Sequence, residues 1–328
     1  MGGDFAPREI VAGALRAAAE LPSVTRLFLV GDRAAIEAEL RRAARVPDKI
    51  EIRHASEAVA MDEHPAMAIR KKKDSSISRA MDMVREGEAD AFVSAGNTGA
   101  CMVAATLKLR TIEGIERPAI ATVLPTQKLP VVLIDAGANT DCEARFLVQF
   151  AVMGSIYARE ILGRPNPVVG LMSVGGEDTK GNELTKETFQ LLGRSGLNFR
   201  GNVEGHDLFL GETDVVVCDG FVGNIVLKTC ESAAHAIGHW LKKEFTAGPV
   251  RIVAALLLRG AMKEMKRKMD PELYGGAPLL GVNGIVIITH GSSSATAIFH
   301  AVRVAGDAVG HQLNRKIQDG IVQLNKAG

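Results

Sequence analysis

The densest concentration of reactive side chains is SVGGEDTKGNELTKETFQLL, residues 173 to 192, where Glu177, Asp178, Lys180 and Asn182 fall on one Gly-rich loop. Lys180, between Thr179 and Gly181, is a point charge suited to a phosphate or a developing oxyanion, although a loop lysine can equally be only solvated. A second concentration, AIRKKKDSSIS at 68 to 78, sets Arg70, Lys71, Lys72 and Lys73 just ahead of Asp74, Ser75 and Ser76, either of which types can cap a helix. Such a charge run is usually a solvated face. Placed before a helix start, it also suits a phosphate or an acidic protein surface.

Four small polar turns each follow an apolar run: SAGNTGA at 94 to 100, DAGANTD at 135 to 141, DGFVGN at 219 to 224 and HGSSSA at 290 to 295. Glycine lets a backbone approach a ligand closely, and free N–H groups at a helix start favour anions, so several such turns together suit phosphate. Any one of them alone is equally an ordinary strand-to-helix connection.

Other chemistry finds less support. GxxxxGK[ST], GxGxxG after a strand and GxSxG are all missing, which weighs against ATP, NAD and the usual hydrolase serine. His235 and His239 have metal spacing on a helix, but without a Glu after the first or an evident third ligand they read as two helix-face histidines, and no metal or cofactor is expected. Cys101, Cys142, Cys218 and Cys230 are too scattered for a zinc pattern or a disulfide framework, which fits a reducing cytoplasm. The sequence has neither a signal-peptide layout nor an apolar stretch of roughly 20 residues.

The elements that must position these groups are read from period. Apolar runs at 26–30, 91–95, 119–124, 131–137, 168–172, 215–220 and 285–291 alternate with amphipathic, helix-like segments. Continuously apolar runs are those of parallel strands covered on both faces, so the expected fold is a three-layer α/β/α sandwich with a mostly parallel sheet. With no linker or repeat, residues 1–328 read as one unit with room for two lobes. In a parallel sheet the four turns lie at the carboxyl ends of the strands and line one crevice.

Composition bounds the partners. Lys plus Arg (39) nearly cancel Asp plus Glu (38) and aromatics are 4%, leaving neither the basic field nor the stacking surfaces of a nucleic-acid binder. One segment is locally amphipathic. Residues 249 to 268 carry Ile252, Val253, Leu256, Leu257 and Leu258 between Arg251 and Arg259, followed by Lys263, Lys266, Arg267 and Lys268. That composition fits a helix on an anionic membrane surface, or a dimer or core helix with a solvated basic end.

Taken in order, MGGDFAP, IRKKKDSSI, VSAGNTGA, DAGAN, GGEDTKGNELTKETF, CDGFVGNIVLKT and GGAPLLGVNGIVIITHGSS resemble the PlsX-type phosphate acyltransferases of bacterial phospholipid synthesis across nearly the whole chain. The resemblance implies a fold like that of phosphotransacetylase and the isocitrate dehydrogenase group. It also implies transfer of a fatty acyl group from acyl carrier protein to inorganic phosphate, giving acyl phosphate for a membrane glycerol-3-phosphate acyltransferase. A homodimer at the inner face of the cell membrane, without cofactor, is implied as well.

Carried over by motif, Lys180, His290 and Asn97 become candidate catalytic residues, with Gly96, Thr98, Gly99, Asp135, Gly137, Asn139, Asp219 and Asn224 around the phosphate. Residues 70 to 73 become an acyl-carrier docking run and 249 to 268 a membrane or dimer segment. A phosphotransacetylase-like enzyme using acyl-CoA, or a non-catalytic scaffold for acyl carrier protein and membrane, are the competing readings. Two departures stand out. Family chains carry an apolar strand and an Asp ahead of MGGD, so a central strand is expected to be missing from this sequence, and Gly176 stands where the family pattern has an acidic residue.

Overall fold

The computed structural model describes residues 1–268 and 271–327. In chain order the elements are α1 (Arg8–Glu20), β1 (Leu27–Gly31), α2 (Arg33–Leu40), β2 (Ile50–His54), α3 (Pro65–Lys71), α4 (Ser76–Arg85), β3 (Ala91–Ser94), α5 (Thr98–Lys108), β4 (Ala119–Leu124), β5 (Val131–Ile134), α6 (Ala144–Ile161), β6 (Val169–Met172), α7 (Glu183–Leu192), β7 (Phe199–Val203), β8 (Val215–Val217), α8 (Gly220–Phe245), α9 (Pro249–Leu257), α10 (Arg259–Lys268), β9 (Ala277–Leu280), β10 (Ile285–Ile288), α11 (Ala295–Gly310) and α12 (Leu313–Ala327).

Eight strands form one sheet in the order β3-β10-β9-β4-β5-β8-β6-β7. The strands β5, β6, β8 and β10 are buried along their whole length because helices cover both faces. On one face α6, α11 and α12 pack over Val132, Ile134, Val215 and Ile287; on the other, α3, α4 and α5 pack over Phe92, Ile120 and Val286. Helix α6 is apolar nearly all round and is accordingly the most enclosed. The three-layer α/β/α architecture is the one the apolar runs indicate.

The sheet is mostly parallel, as expected, but its strands do not all run the same way. β3 and β10 are parallel to each other, and β5, β8, β6 and β7 are parallel among themselves, but β10, β9, β4 and β5 are joined by three successive antiparallel pairings. Three reversals leave the two parallel sets running in opposite directions. The four small turns therefore do not line one crevice within a chain: those after β3 and β10 open at one end of the sheet, and those after β5 and β8, with the Lys180 loop after β6, at the other.

β1 and β2 pair only with each other and form a separate parallel ribbon. Between β1 and β3 runs a groove of about 410 Å³ lined by Leu27, Leu29, Ala91 and Val93. α4 packs against both strands. Met1 and Gly2 close one end of the groove: a Cβ on Gly31 would meet the Met1 side chain, and one on Gly2 would stand 2.6 Å from Gly96 Cα.

Candidate active site

At the Lys180 end, the turn after β5 is built around a buried carboxylate. Asp135 Oδ1 accepts from the backbone N–H groups of Ile120, Gly137 and Ala138, and Oδ2 from Ala138, Asn139 and the Asn139 side-chain amide, at 2.7 to 3.1 Å. Burial pushes the pKa of this carboxyl up, against the pull of its donors. Asp135 thus shapes the turn from within. Asn139 also gives its amide to Pro118 O at 2.8 Å, and its own carbonyl accepts the Gly220 N–H at 2.7 Å, tying the turn to the start of α8.

Asp219 caps α8, accepting from Val222 N at 2.9 Å. A Cβ on Gly137 would meet Asn224, so the turns after β5 and β8 lie against each other and present Asn224 to solvent. Cys142 is the half-buried thiol of this neighbourhood. Burial first, and then the charges of Asp135 and Asp219, push it up to about 12, so it is neutral and a poor nucleophile at ordinary pH. Cys101 and Cys218, fully buried, are likewise raised, and so is Cys230.

The loop from 173 to 182 brings in Lys180. Its stem crosses Gly175, where a Cβ would stand 2.9 Å from Lys180 Cγ. Gly181 takes φ +111°, and Asn182 then caps α7 by accepting from Thr185 N at 2.9 Å. Lys180 is exposed, and among the described residues its Nζ has no hydrogen-bond or ion-pair partner. The ammonium stands on the loop that leads into the N-terminus of α7, where backbone N–H groups and a point charge together suit an anion.

The other end holds a different set. Asn97 caps α5 through Ala100 N at 2.9 Å, and its amide donates to the carbonyls of Ala60, Met61 and Glu63 at 3.1 to 3.2 Å. Its side chain fastens the 60–63 loop to the start of α5. A Cβ at Gly99 would stand 2.5 Å from Pro65, so that position is closed by packing, whereas one at Gly96 would only crowd Ser94 Oγ at 3.2 Å; Thr98, exposed, is the first residue of α5. His290 is exposed; its Nδ1 lies 2.7 Å from Ser292 Oγ and accepts the Ser292 N–H at 3.3 Å, leaving Nε2–H as the donor.

The basic run ends α3. Arg70, Lys71 and Lys73 are exposed, whereas Lys72 is half-buried, paired with Glu63 and donating to Ala58 O. Ser75 is the cap of α4, and Asp74 instead binds Ser56 and Arg79. Segment 249–268 is two helices, α9 and α10, with Leu258 at their junction, and Ile252, Val253, Leu256, Leu257 and Leu258 are all exposed, Leu257 to 83%. Met269 and Asp270, which end the basic stretch, lie outside the described residues. Among the described residues no helix is long and apolar enough to cross a membrane.

Sequence reasoning missed Asn202 and Glu204, which hold the Lys180 loop. The signal available was their alternation around Val203, which puts both on one face of a strand.

Residues 1–316 match the family described as "Fatty acid synthesis protein". The chain is 54% identical to a phosphate acyltransferase of Desulfitobacterium hafniense over 94% of its own length and 92% of the relative's, and 50% identical to one of Pelotomaculum thermopropionicum over 100% and 95%. Among solved structures it is similar to a phosphotransacetylase from Streptococcus pyogenes, with TM-score 0.57, 18% identity and 90% of each chain covered. EutD phosphotransacetylase from Staphylococcus aureus gives TM-score 0.52 at 14% identity, covering 90% of this chain and 98% of that one. These two likenesses concern the fold. With half its residues shared along nearly its whole length, the chain belongs to the phosphate acyltransferase family of fatty acid synthesis proteins and is an acyltransferase.

Proposed function

We propose that this acyltransferase moves a long-chain fatty acyl group from acyl carrier protein to inorganic phosphate, and that the resulting acyl phosphate feeds a membrane glycerol-3-phosphate acyltransferase. The observation that carries the reading is the Lys180 ammonium, exposed and without a hydrogen-bond or ion-pair partner among the described residues, on the loop that opens α7. A phosphate oxygen attacks the thioester carbonyl carbon, the C–O bond forms, and the tetrahedral oxyanion collapses with cleavage of the C–S bond. The leaving thiolate takes up a proton from solvent. A thioester is already activated, so no acyl-enzyme is needed, and positioning with charge neutralisation supplies the acceleration.

In this reading Lys180 neutralises phosphate or oxyanion, and Asn139 and Asn224 border the phosphate. Arg70, Lys71 and Lys73 receive the acidic carrier protein. The exposed apolar face of α9, with the basic residues of α10, rests on an anionic membrane from the cytoplasmic side. The chain works as a homodimer, and only a second protomer could bring a His290 end to a Lys180 end. The test is thiol release from palmitoyl acyl carrier protein with and without inorganic phosphate, with acyl phosphate trapped by hydroxylamine. Strict phosphate dependence with trapped product is expected. Equal or better turnover of palmitoyl-CoA would point to a phosphotransacetylase-like enzyme, and binding without turnover to a scaffold.

A further inference from the structure

We propose that Asn202 and Glu204 are the positioning residues of Lys180, an inference that rests on the assignment of Lys180 to acyl transfer. β7 is the last strand of the sheet. Val203, between the two, is buried in the core, so Asn202 and Glu204 project from the opposite face. Both reach the backbone of the loop that follows β6. Asn202 Nδ2 donates to the carbonyl of Glu177 at 2.8 Å, and the same carbonyl accepts the backbone N–H of Lys180 at 3.0 Å. Glu204 Oε1 accepts the N–H of Gly176 at 3.1 Å. The loop is laid onto β7 at its start as well, through Ser173 N to Val203 O at 2.9 Å.

One carbonyl therefore links the edge strand to the catalytic lysine. Asn202 fixes where the Glu177 carbonyl points, that carbonyl closes the turn from 177 to 180, and the turn sets the direction in which the Lys180 stem crosses Gly175. Glu204 holds the preceding residue, so the loop is fastened on both sides of Glu177. Neither side chain touches substrate in this account. Their effect is on the placement of an ammonium whose own Nζ is unanchored among the described residues, and a misplacement of about 1 Å costs on the order of a hundredfold in rate.

The experiment is a double-mutant cycle on palmitoyl acyl carrier protein and inorganic phosphate, with kcat and the phosphate KM measured for N202A, E204A, E204Q, K180A and the pairs of N202A and E204A with K180A. For N202A we expect kcat to fall about tenfold or more. E204Q, which keeps an accepting oxygen, should recover most of the activity that E204A loses. In the K180A background the changes at Asn202 and Glu204 should cost nothing further, because what they position is gone. Full additivity with K180A, or N202A matching the parent while K180A is impaired, would overturn the proposal. If K180A itself keeps parental turnover, the assignment of Lys180 falls, and with it the positioning role.

Discussion

The carbonyl oxygen of Asp135 occupies the place where a side chain on Gly223 would have to go: a Cβ there would stand 1.8 Å from it. The first turn of α8 is thereby laid directly on the end of β5, which is how two turns remote in sequence come to share one site. Gly223→Ala must push helix and strand apart, and overpacking of this kind costs about 3 kcal/mol. A lowered melting temperature with loss of turnover is expected; a melting curve matching the parent's would contradict the contact.

Lys180→Ala should reduce phosphate-dependent turnover on the order of a hundredfold, the loss seen when one well-placed donor to a developing oxyanion is removed. Lys180 contributes no ion pair among the described residues, so the melting temperature should stay close to the parent's. Steady-state kinetics beside thermal melting check both halves.

Cys142 has a thiol pushed up to about 12, so at pH 8 its thiolate fraction is about one in ten thousand. Iodoacetamide should label it far more slowly than an ordinary free thiol, with the rate rising as pH climbs toward the shifted value. Mass spectrometry of the Cys142 peptide against pH gives the rate. Fast labelling at pH 8 would mean that burial and the two neighbouring carboxylates do not act as described.

Reversing Arg70, Lys71 and Lys73 together should raise KM for the acyl carrier substrate on the order of tenfold at low salt, an effect that fades as salt screens the charges. Reversing Lys72 alone should act otherwise, because its partner Glu63 would face a like charge; that variant should lose stability instead. An unchanged KM for the triple variant would exclude the docking face.

Leu256→Glu with Leu257→Glu should leave the protein folded, since both side chains are exposed, and should remove most of it from the floating fraction with anionic liposomes. Flotation equal to the parent's would leave α9 with another partner.

The sequence announced the buried strands far better than the edges or the directions. The runs at 119–124 and 285–291 contain β4 and β10 because a strand covered on both faces is apolar throughout. β2 and β7, at edges, carry IEIRH and FRGNV, where polar and small residues break the run, and interior β9 is only APLL, too short and with a proline second; none of the three reads as a strand from the sequence. Direction is not written in a strand's composition. It is legible in connection lengths: residues 125–130 join β4 to β5 and residues 281–284 join β9 to β10, too few in either case for a parallel crossover, so each forces a hairpin and a reversal. For the site, residue types identified Lys180 by chemistry, but whether a side chain is free or spent depends on what packs over it. Asn97 is engaged by carbonyls distant in sequence, and Asp135 by the N–H groups of its own turn together with that of Ile120.

The groove between β1 and β3 is a seam in the molecule. Each of these strands pairs on one side only, so two rows of backbone donors and acceptors face the same apolar channel. An extended apolar segment entering there is hydrogen-bonded from both sides at once, a stronger capture than any single exposed edge provides. Whatever occupies the channel therefore also sets how firmly the β1–β2 ribbon is joined to the main sheet.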